Sequence, residues 1–402
     1  MKIAIMGFGV VGSGVGEIVL KNQKGIAVKC GENVEIAHIL DLRDFPESEF
    51  KCFTKDFNDI LSDPEVGIVV ETMGGVNPAY KFTKELLLAG KHVITSNKEL
   101  VAAHGAELLS IAEQKNINYL FEASVGGGIP IIRPLYSCLT AGIITDVIGI
   151  LNGTTNYILT QMFQSGVSFE NALCDAQKKG YAEKDPTADI EGLDTCRKIA
   201  ILSSLAYGKA IDSSKVETEG ITNITAADVA YAEKAGYSIK LIGYSSREGK
   251  NVYAAVFPAF VSKQNPLSSI NDVFNGIVVK GDDLGDVMFY GRGAGKLPTA
   301  NAVVSDIIDA VKHKHTHIII QWNEYDEERQ SSGENHKFSY YVRLRGEIPA
   351  DIRGCEKFTL DSAEFEGEFA IVTPEMTGAE LDGLLSDTFG GCGVLAKMRL
   401  IK

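Results

Sequence analysis

The sequence predicts an α/β protein: a doubly wound parallel sheet over its first third, then a mixed α+β region, then a small α+β tail. Three observations lead there. The apolar run Lys2 to Met6 feeds directly into a glycine-rich turn, Gly7-Phe8-Gly9-Val10-Val11-Gly12. Short β-rich apolar runs then alternate with helical patterns as far as about residue 122, as strands and crossover helices do. From about Gly126 the alternation gives way to closely spaced helices followed by strands.

In order, Lys2 to Met6 is predicted as a buried strand and Val10 to Lys21 as an apolar-periodic helix. Strands are expected at Val34 to Leu40, Gly67 to Glu71, His92 to Thr95 and Tyr119 to Glu122, with helices at Ala79 to Ala89 and Lys98 to Gln114. Helices at Thr154 to Gln164, Phe169 to Lys178 and Leu193 to Tyr207 precede strands at Ser238 to Tyr244, Val252 to Phe257 and Gly276 to Lys280. Thr299 to Lys312 is helical again and is placed back on the first domain. Residues 313 to 336 are polar and read as a linker holding one strand, Ile318 to Trp322. The tail, 337 to 402, is expected to carry strands at Phe338 to Arg345, Phe358 to Phe365 and Phe369 to Thr373, a helix at Gly378 to Asp387 and a last strand at Val394 to Ile401. The domain boundaries are therefore 1–125, 126–298, a linker 313–336, and 337–402; at roughly 150 residues per domain, a length of 402 accommodates two or three.

A GxGxxG turn that follows a strand and opens a helix is the phosphate-binding corner of a Rossmann-type sheet. Its glycines let the backbone turn tightly and approach a pyrophosphate, and the helix N-terminus offers free N–H groups and partial positive charge. Asp41 and Arg43 end the second strand. A carboxylate there suits a ribose 2′-hydroxyl and so NAD; a guanidinium suits a 2′-phosphate and so NADP. The sequence presents both, and the choice stays open.

Composition narrows the partners. A formal charge of -14 repels phosphate backbones and anionic lipid, which argues against nucleic acid and membranes. Seven scattered cysteines without a CxxC point to reduced thiols in a cytoplasm. The first twenty residues carry too many glycines, and no cleavage site, to read as a signal peptide. His313, His315 and His317 alternate, so on a strand they face one side, a zinc or nickel geometry that the flanking lysines oppose.

Residues 180 to 198 are dense in charge. Asp194 and Lys198 stand four apart on a predicted helix, hence on one face. Taken alone they read as an ordinary surface ion pair worth ~0.3–0.5 kcal/mol. Asn152-Gly153-Thr154-Thr155 opens another helix. Thr154 is the expected cap, and the free amides either receive a carboxylate or belong to a plain N-terminus.

Five blocks together resemble the homoserine dehydrogenase family: GFGVVG at 7–12, TSNKELVA at 95–102, FEASVGGGIPII at 121–132 with LNGTTNYIL at 151–159, GYAEKDPTADIEGLDTCRKIAIL at 180–202, and YGRGAGKLPTANAVVSD at 290–306. The resemblance implies NAD(P)-dependent interconversion of L-homoserine and L-aspartate 4-semialdehyde, a step of threonine, methionine and isoleucine biosynthesis. It implies that Lys198 is the general acid and Lys98 a second lysine where the cofactor and substrate sites meet. Glu183 and Asp194 match homoserine-binding carboxylates; Asp189, Tyr181, Gly153 and Thr154 join them as substrate-side candidates. Besides Gly7 to Gly12, the implied cofactor residues are Arg43, Thr72, Ser96, Lys98, Gly180 and Gly295. A monovalent cation, sodium, is implied at Glu122 and the carbonyls of Val125, Gly127 and Ile129. Region 126–298 becomes a catalytic and dimerisation domain, in a homodimer or homotetramer. The tail resembles a regulatory ACT unit lacking its first helix, since Gly346 to Glu356 is too short to hold one. Two alternatives remain: another amino-acid dehydrogenase on the same scaffold, and a non-catalytic nucleotide- and amino-acid-sensing regulator.

Overall fold

The computed structural model describes residues 1–360 and 365–402. The chain falls into two compact units. One comprises Met1–Ile144, Ala200–Ser213 and Gly281–Asp326, the other Thr145–Ile199, Ser214–Lys280 and Glu327–Lys402.

The first unit opens with β1 (Lys2–Met6), α1 (Val10–Lys21), α2 (Gln23–Cys30), β2 (Glu35–Leu40), β3 (Phe53–Thr54), α3 (Asn58–Leu61), β4 (Val66–Glu71), α4 (Ala79–Leu88), β5 (His92–Thr95), α5 (Lys98–Gln114), β6 (Tyr119–Leu120) and α6 (Ile132–Ser137). Its sheet runs β3-β2-β1-β4-β5-β6, and every pair is parallel. Ile5 sits between Ile39 of β2 and Val70 of β4. All three are fully buried, as strands covered by helices on both faces require. The strand order turns back on itself at β1 and β4, so the crevice beyond their carboxyl ends is where such a sheet takes its ligand. Tyr119 begins a strand as expected, but it stops at Leu120, and Glu122–Ser124 forms a 3-10 turn.

The second unit holds β7 (Ile144–Ile150), α7 (Gly153–Ser165), α8 (Phe169–Lys178), α9 (Thr187–Ile190), the start of α10 (Leu193–Tyr207), β8 (Glu217–Thr218), α11 (Ala226–Ala235), β9 (Tyr237–Glu248), β10 (Asn251–Ser262) and β11 (Phe274–Gly281). The chain then returns to the first unit with β12 (Gly285–Arg292) and α12 (Lys296–Lys312). α12 lies on α1: a side chain at Gly14 would meet Ala300 at 3.0 Å. Ile318–Trp322 does not form the expected strand. Trp322 is instead buried edge-on to Phe121, its ring within 3.1 Å of where Gly105 would carry a Cβ. An indole needing cover outweighs the strand tendency of the isoleucines.

The tail contributes β13 (Tyr340–Arg345), β14 (Glu356–Phe358), β15 (Glu368–Val372), α13 (Gly378–Phe389) and β16 (Gly393–Ile401). Residues 346–355 pass without a helix. The strand expected at Phe358 to Phe365 is a short β14 ending at Phe358; residues 361–364 lie outside those described. The tail was expected to stand apart from residue 337, but it continues the sheet of the second unit, whose order is β11-β7-β9-β10-β16-β13-β15-β14. β16 lies parallel to β10, pairing Ala259 with Arg399, and β9 and β10 form a twelve-pair antiparallel hairpin. Val252 to Val261 of β10 are buried without a break, and β16 covers what would be an apolar edge. Phe257, Val342, Phe369 and Leu381 share one core. Arg343 of β13 adds a buried ionic link, to Asp228 of α11 at 3.0 Å and to Glu368 of β15 at 3.0 Å.

Candidate active site

The glycine turn leaves β1 as the sequence requires. Gly7 has φ 91°, and its N–H donates to Leu40 O at 2.8 Å. A side chain at Gly12 would come within 1.9 Å of Gly7 O, so no other residue fits there. Gly9 caps α1 with extended backbone, and no side chain closes the first turn. Val10 is exposed and Phe8 is not: its ring packs edge-on against Phe45, Phe50 and Phe53. What Phe8 presents to the crevice is backbone.

Asp41 and Arg43, open alternatives by sequence, act together. The Asp41 carboxylate accepts from Phe8 N at 2.8 Å, from Arg43 Nε at 2.9 Å and from Arg43 Nη2 at 2.8 Å. The Arg43 guanidinium holds the carboxyl well below its usual range, against the opposing effect of burial. The carboxylate is 8% exposed and the guanidinium 63%. Asp41 is therefore spent on steadying the turn and aiming Arg43, whose Nη2 lies 4.0 Å from where a side chain at Gly9 would begin. Thr72, at the end of β4, donates its hydroxyl to Gly7 O at 2.7 Å. Ser96 N reaches Glu71 O at 3.3 Å, and Lys98 begins α5 behind Asn97, whose side chain accepts from Leu100 N at 3.1 Å. Thr72, Ser96 and Lys98 thus gather at the carboxyl ends of β4 and β5.

Within the second unit, the start of α7 and the start of α10 meet. Lys198 Nζ donates to Asp194 Oδ2 at 2.6 Å and to Leu151 O at 2.8 Å, with the two side chains 11% and 5% exposed. This is a desolvated pair, not the surface pair that spacing alone allowed. Asn152 binds the group together: Nδ2 donates to Asp194 Oδ2 at 2.9 Å and to Asp189 Oδ1 at 2.7 Å, while Oδ1 accepts from Thr155 N at 2.9 Å. Burial pushes the Asp189 carboxyl up, against the Asn152 hydrogen bond. The cap of α7 is thus Asn152 and not Thr154, whose hydroxyl instead donates to Tyr181 O at 2.7 Å. The asparagine amide offers a donor as well as an acceptor, so it can cap and bind carboxylates at once. Gly153 has no room for a side chain, which would meet Val273 O at 2.8 Å.

Other candidates are less gathered. The carboxylate of Glu183 is exposed and makes no hydrogen bond to Lys198 or Asp194 among the described residues; its backbone carbonyl accepts from Gln177. Gly180 has φ 73° with open space beyond it, so left-handed backbone at the end of α8, not close approach, demands glycine there. Gly295, with φ 128°, caps α12 in the first unit. Tyr181 is half exposed and stands edge-on to Tyr157.

Glu122 is buried beneath α6. Its carboxylate accepts from Ile131 N at 2.7 Å, Ile132 N at 2.9 Å and Arg133 N at 2.7 Å. Burial pushes its pKa up, against those three bonds. Gly126 and Gly127, at φ 76° and 55°, curl the following turn. Among the described residues no hydrogen bond reaches the carbonyl oxygens of Val125, Gly127 or Ile129. One carboxylate and three uncommitted carbonyls are a donor set that fits a hard cation. The histidines do not converge: His313 Nδ1 lies 2.9 Å from Asp309 O and His317 Nδ1 2.6 Å from Ile117 O. No cluster of three metal-ligating side chains occurs among the described residues.

Sequence reasoning passed over Asn152 as a ligand organiser and Leu151 as a lysine acceptor. The signal for the first was an Asn directly before a glycine-opened helix; a backbone acceptor leaves none.

Comparison with known proteins places this geometry. Residues 7–122 match the family described as homoserine dehydrogenase, NAD binding domain, and residues 130–308 that described as homoserine dehydrogenase. Fold and matches together define an oxidoreductase with an NAD(P)-binding domain. A homoserine dehydrogenase of Synechocystis is 44% identical over 321 residues, covering 77% of this chain and 73% of that protein. One of Lactococcus lactis is 36% identical over 376 residues, covering 91% and 88%. The crystal structure of a homoserine dehydrogenase from Thiobacillus denitrificans has TM-score 0.90 at 32% identity, covering all of this chain and 98% of that one. A hyperthermophilic archaeal homoserine dehydrogenase in complex with NADPH has TM-score 0.66 at 27% identity and covers 77% of this chain. The chain belongs to the homoserine dehydrogenase family, NAD(P)-dependent oxidoreductases that interconvert L-homoserine and L-aspartate 4-semialdehyde in amino-acid biosynthesis.

Proposed function

We propose that in this chain Lys198 is the proton donor to the semialdehyde oxygen, and the acceptor when homoserine is oxidised. The observation that carries this is the desolvated ammonium held between Asp194 and Leu151 O. Hydride to the carbonyl carbon is the chemistry that the bound nicotinamide supplies. Asp194 and Asp189, fixed by Asn152, suit the ammonium and hydroxyl of the amino acid. Glu183 is a third carboxylate suited to the amino acid's ammonium. Gly153 and Thr154 present α7 amides to the carboxylate, Tyr181 closes the edge, and Lys98 is a second lysine of the reaction.

Arg43 supports a preference for NADP(H), because an exposed guanidinium aimed by a buried carboxylate suits a 2′-phosphate. Gly7 to Gly12, Thr72 and Ser96 hold the pyrophosphate and adjoining ribose, and Gly180 and Gly295 are further cofactor residues. The turn at Glu122, Val125, Gly127 and Ile129 takes sodium. The enzyme works in the cytoplasm as a homodimer or homotetramer.

The test is NADP+ reduction with L-homoserine against a panel of other amino acids and hydroxy acids, in wild type and Lys198→Ala. Turnover with homoserine should exceed all others. Lys198→Ala should lower kcat by about 10²–10⁴-fold, the usual worth of a general acid, with NADPH affinity unchanged. Undiminished turnover in the variant removes the role from Lys198.

A further inference from the structure

One buried cation in the second unit has no part in the chemistry above. Lys240, on β9, is 2% exposed. Its Nζ donates to Asn156 Oδ1 at 3.1 Å, to Asn271 Oδ1 at 3.2 Å and to Ile270 O. Three acceptors match the three N–H groups of an ammonium. Two of them belong to the loop at residues 270–273, and the third belongs to α7.

That loop is tied to α7 at several points. Asn156 Nδ2 donates to Ile270 O at 3.2 Å and to Phe274 O at 3.0 Å, and Asp272 N donates to Thr160 Oγ1 at 3.0 Å. The same loop presents Val273 O to Gly153 so closely that a methyl group would lie 2.8 Å away. Gly153 directly follows Asn152, which holds Asp189 and Asp194. A continuous path of packed and hydrogen-bonded groups therefore leads from the ammonium to the substrate carboxylates.

We propose that Lys240 is a positioning residue for the amino-acid substrate: through the loop at 270–273 it sets where the first turn of α7, and hence Asn152, Asp189 and Asp194, stand. This rests on the substrate role given above to those carboxylates. The device is sensitive to protonation. A neutral amine keeps two N–H groups, so one of the three acceptors goes unserved on deprotonation. Burial brings the lysine pKa down to about 8, and Asp272 opposes that shift. Among the described residues Asp272 is the only charged group acting on it. The ammonium is complete below that pH and is lost as pH rises through it.

The experiment measures kcat, the homoserine KM and the NADP+ KM at pH 7 and pH 9 for wild type, Lys240→Met and Asn271→Ala. At pH 7, Lys240→Met should raise the homoserine KM roughly tenfold, as expected for loss of a charge-assisted hydrogen bond, with the NADP+ KM unchanged. At pH 9 the gap to wild type should narrow. Asn271→Ala removes one acceptor at a less buried position, and it should make the homoserine KM less dependent on pH than in wild type. If Lys240→Met does not fold, Asn271→Ala decides alone. Equal changes in both KM values, or a homoserine KM gap independent of pH, overturn the proposal. Wild type without homoserine turnover would sink the functional reading instead; an active wild type with an unmoved variant KM sinks only this one.

Discussion

At the scale of single residues, the site turns on groups whose roles are set by what they are bonded to. Arg43 and Asp41 show this most directly. By type alone they argue for opposite cofactors; in place the carboxylate is consumed by Phe8 N and the guanidinium, and only the guanidinium faces outward. Removing it should therefore cost NADP+ and not NAD+. A hydrogen bond to a charged group contributes about 1.5–3 kcal/mol, or roughly ten- to a hundredfold in affinity. Arg43→Ala is expected to raise the NADP+ KM by that factor and leave the NAD+ KM within about twofold. The two steady-state titrations check it, and an equal rise in both would show that Arg43 supports the turn instead of the 2′-phosphate. The pairing of Lys198 with Asp194 and the need for glycine at Gly7 and Gly12 are legible in the sequence. The choice of Asp41 against Arg43 is illegible there, because a side chain's role depends on who occupies its lone pairs, and spacing does not state that.

Among the elements, α7 carries the most consequence. Asn152 both caps it and binds Asp189 and Asp194, so one substitution removes two functions, and a second can return one of them. Asn152→Ala should destabilise by about 0.5–2 kcal/mol through the lost cap and also raise the homoserine KM. Asn152→Ser restores a good cap but no amide donor, so stability should recover while KM stays high. Thermal melts beside homoserine kinetics separate the two, and a KM that recovers with serine would confine Asn152 to capping. Long periodic elements were legible: α5, α8 and α10 begin and end as the sequence predicts. Ile144–Ile150 is a central strand that its own apolar residues do not mark out between the neighbouring loops. The isoleucines of Ile318–Trp322 fit a strand, whereas burial of the indole decides the path of that segment. Local preference loses in both cases to packing against partners distant in sequence.

For the whole molecule, the tail was legible in its elements and illegible in its allegiance. Its strands looked sufficient for a separate unit, but a parallel pair between β10 and β16 and the buried ions at Arg343 make it part of the second unit. Breaking those ions should be felt across that unit. Arg343→Met removes the guanidinium that Asp228 and Glu368 share, but Asp228 keeps its hydrogen bonds from Tyr341 and Thr225 and Glu368 keeps Arg345, so the cost should be about 1–3 kcal/mol, below that of a buried charge left without any partner. Denaturant unfolding should show a loss of that order while NADPH binding to the first unit is retained; a loss under about 1 kcal/mol would mean that water or rearrangement replaces the guanidinium.

The return of α12 to the first unit has a consequence for how the chain is made. The nucleotide-binding sheet is finished by residue 120, yet the helix that lies on α1, where Gly14 leaves space for Ala300, is translated some 180 residues later. At about 5–20 residues per second the ribosome leaves that flank of α1 bare for roughly ten seconds or more. During that interval the nascent sheet exposes apolar surface, and a fragment released at residue 144 would keep it exposed for good. Chaperone dependence and aggregation of such early-terminated chains follow from the order of the elements alone.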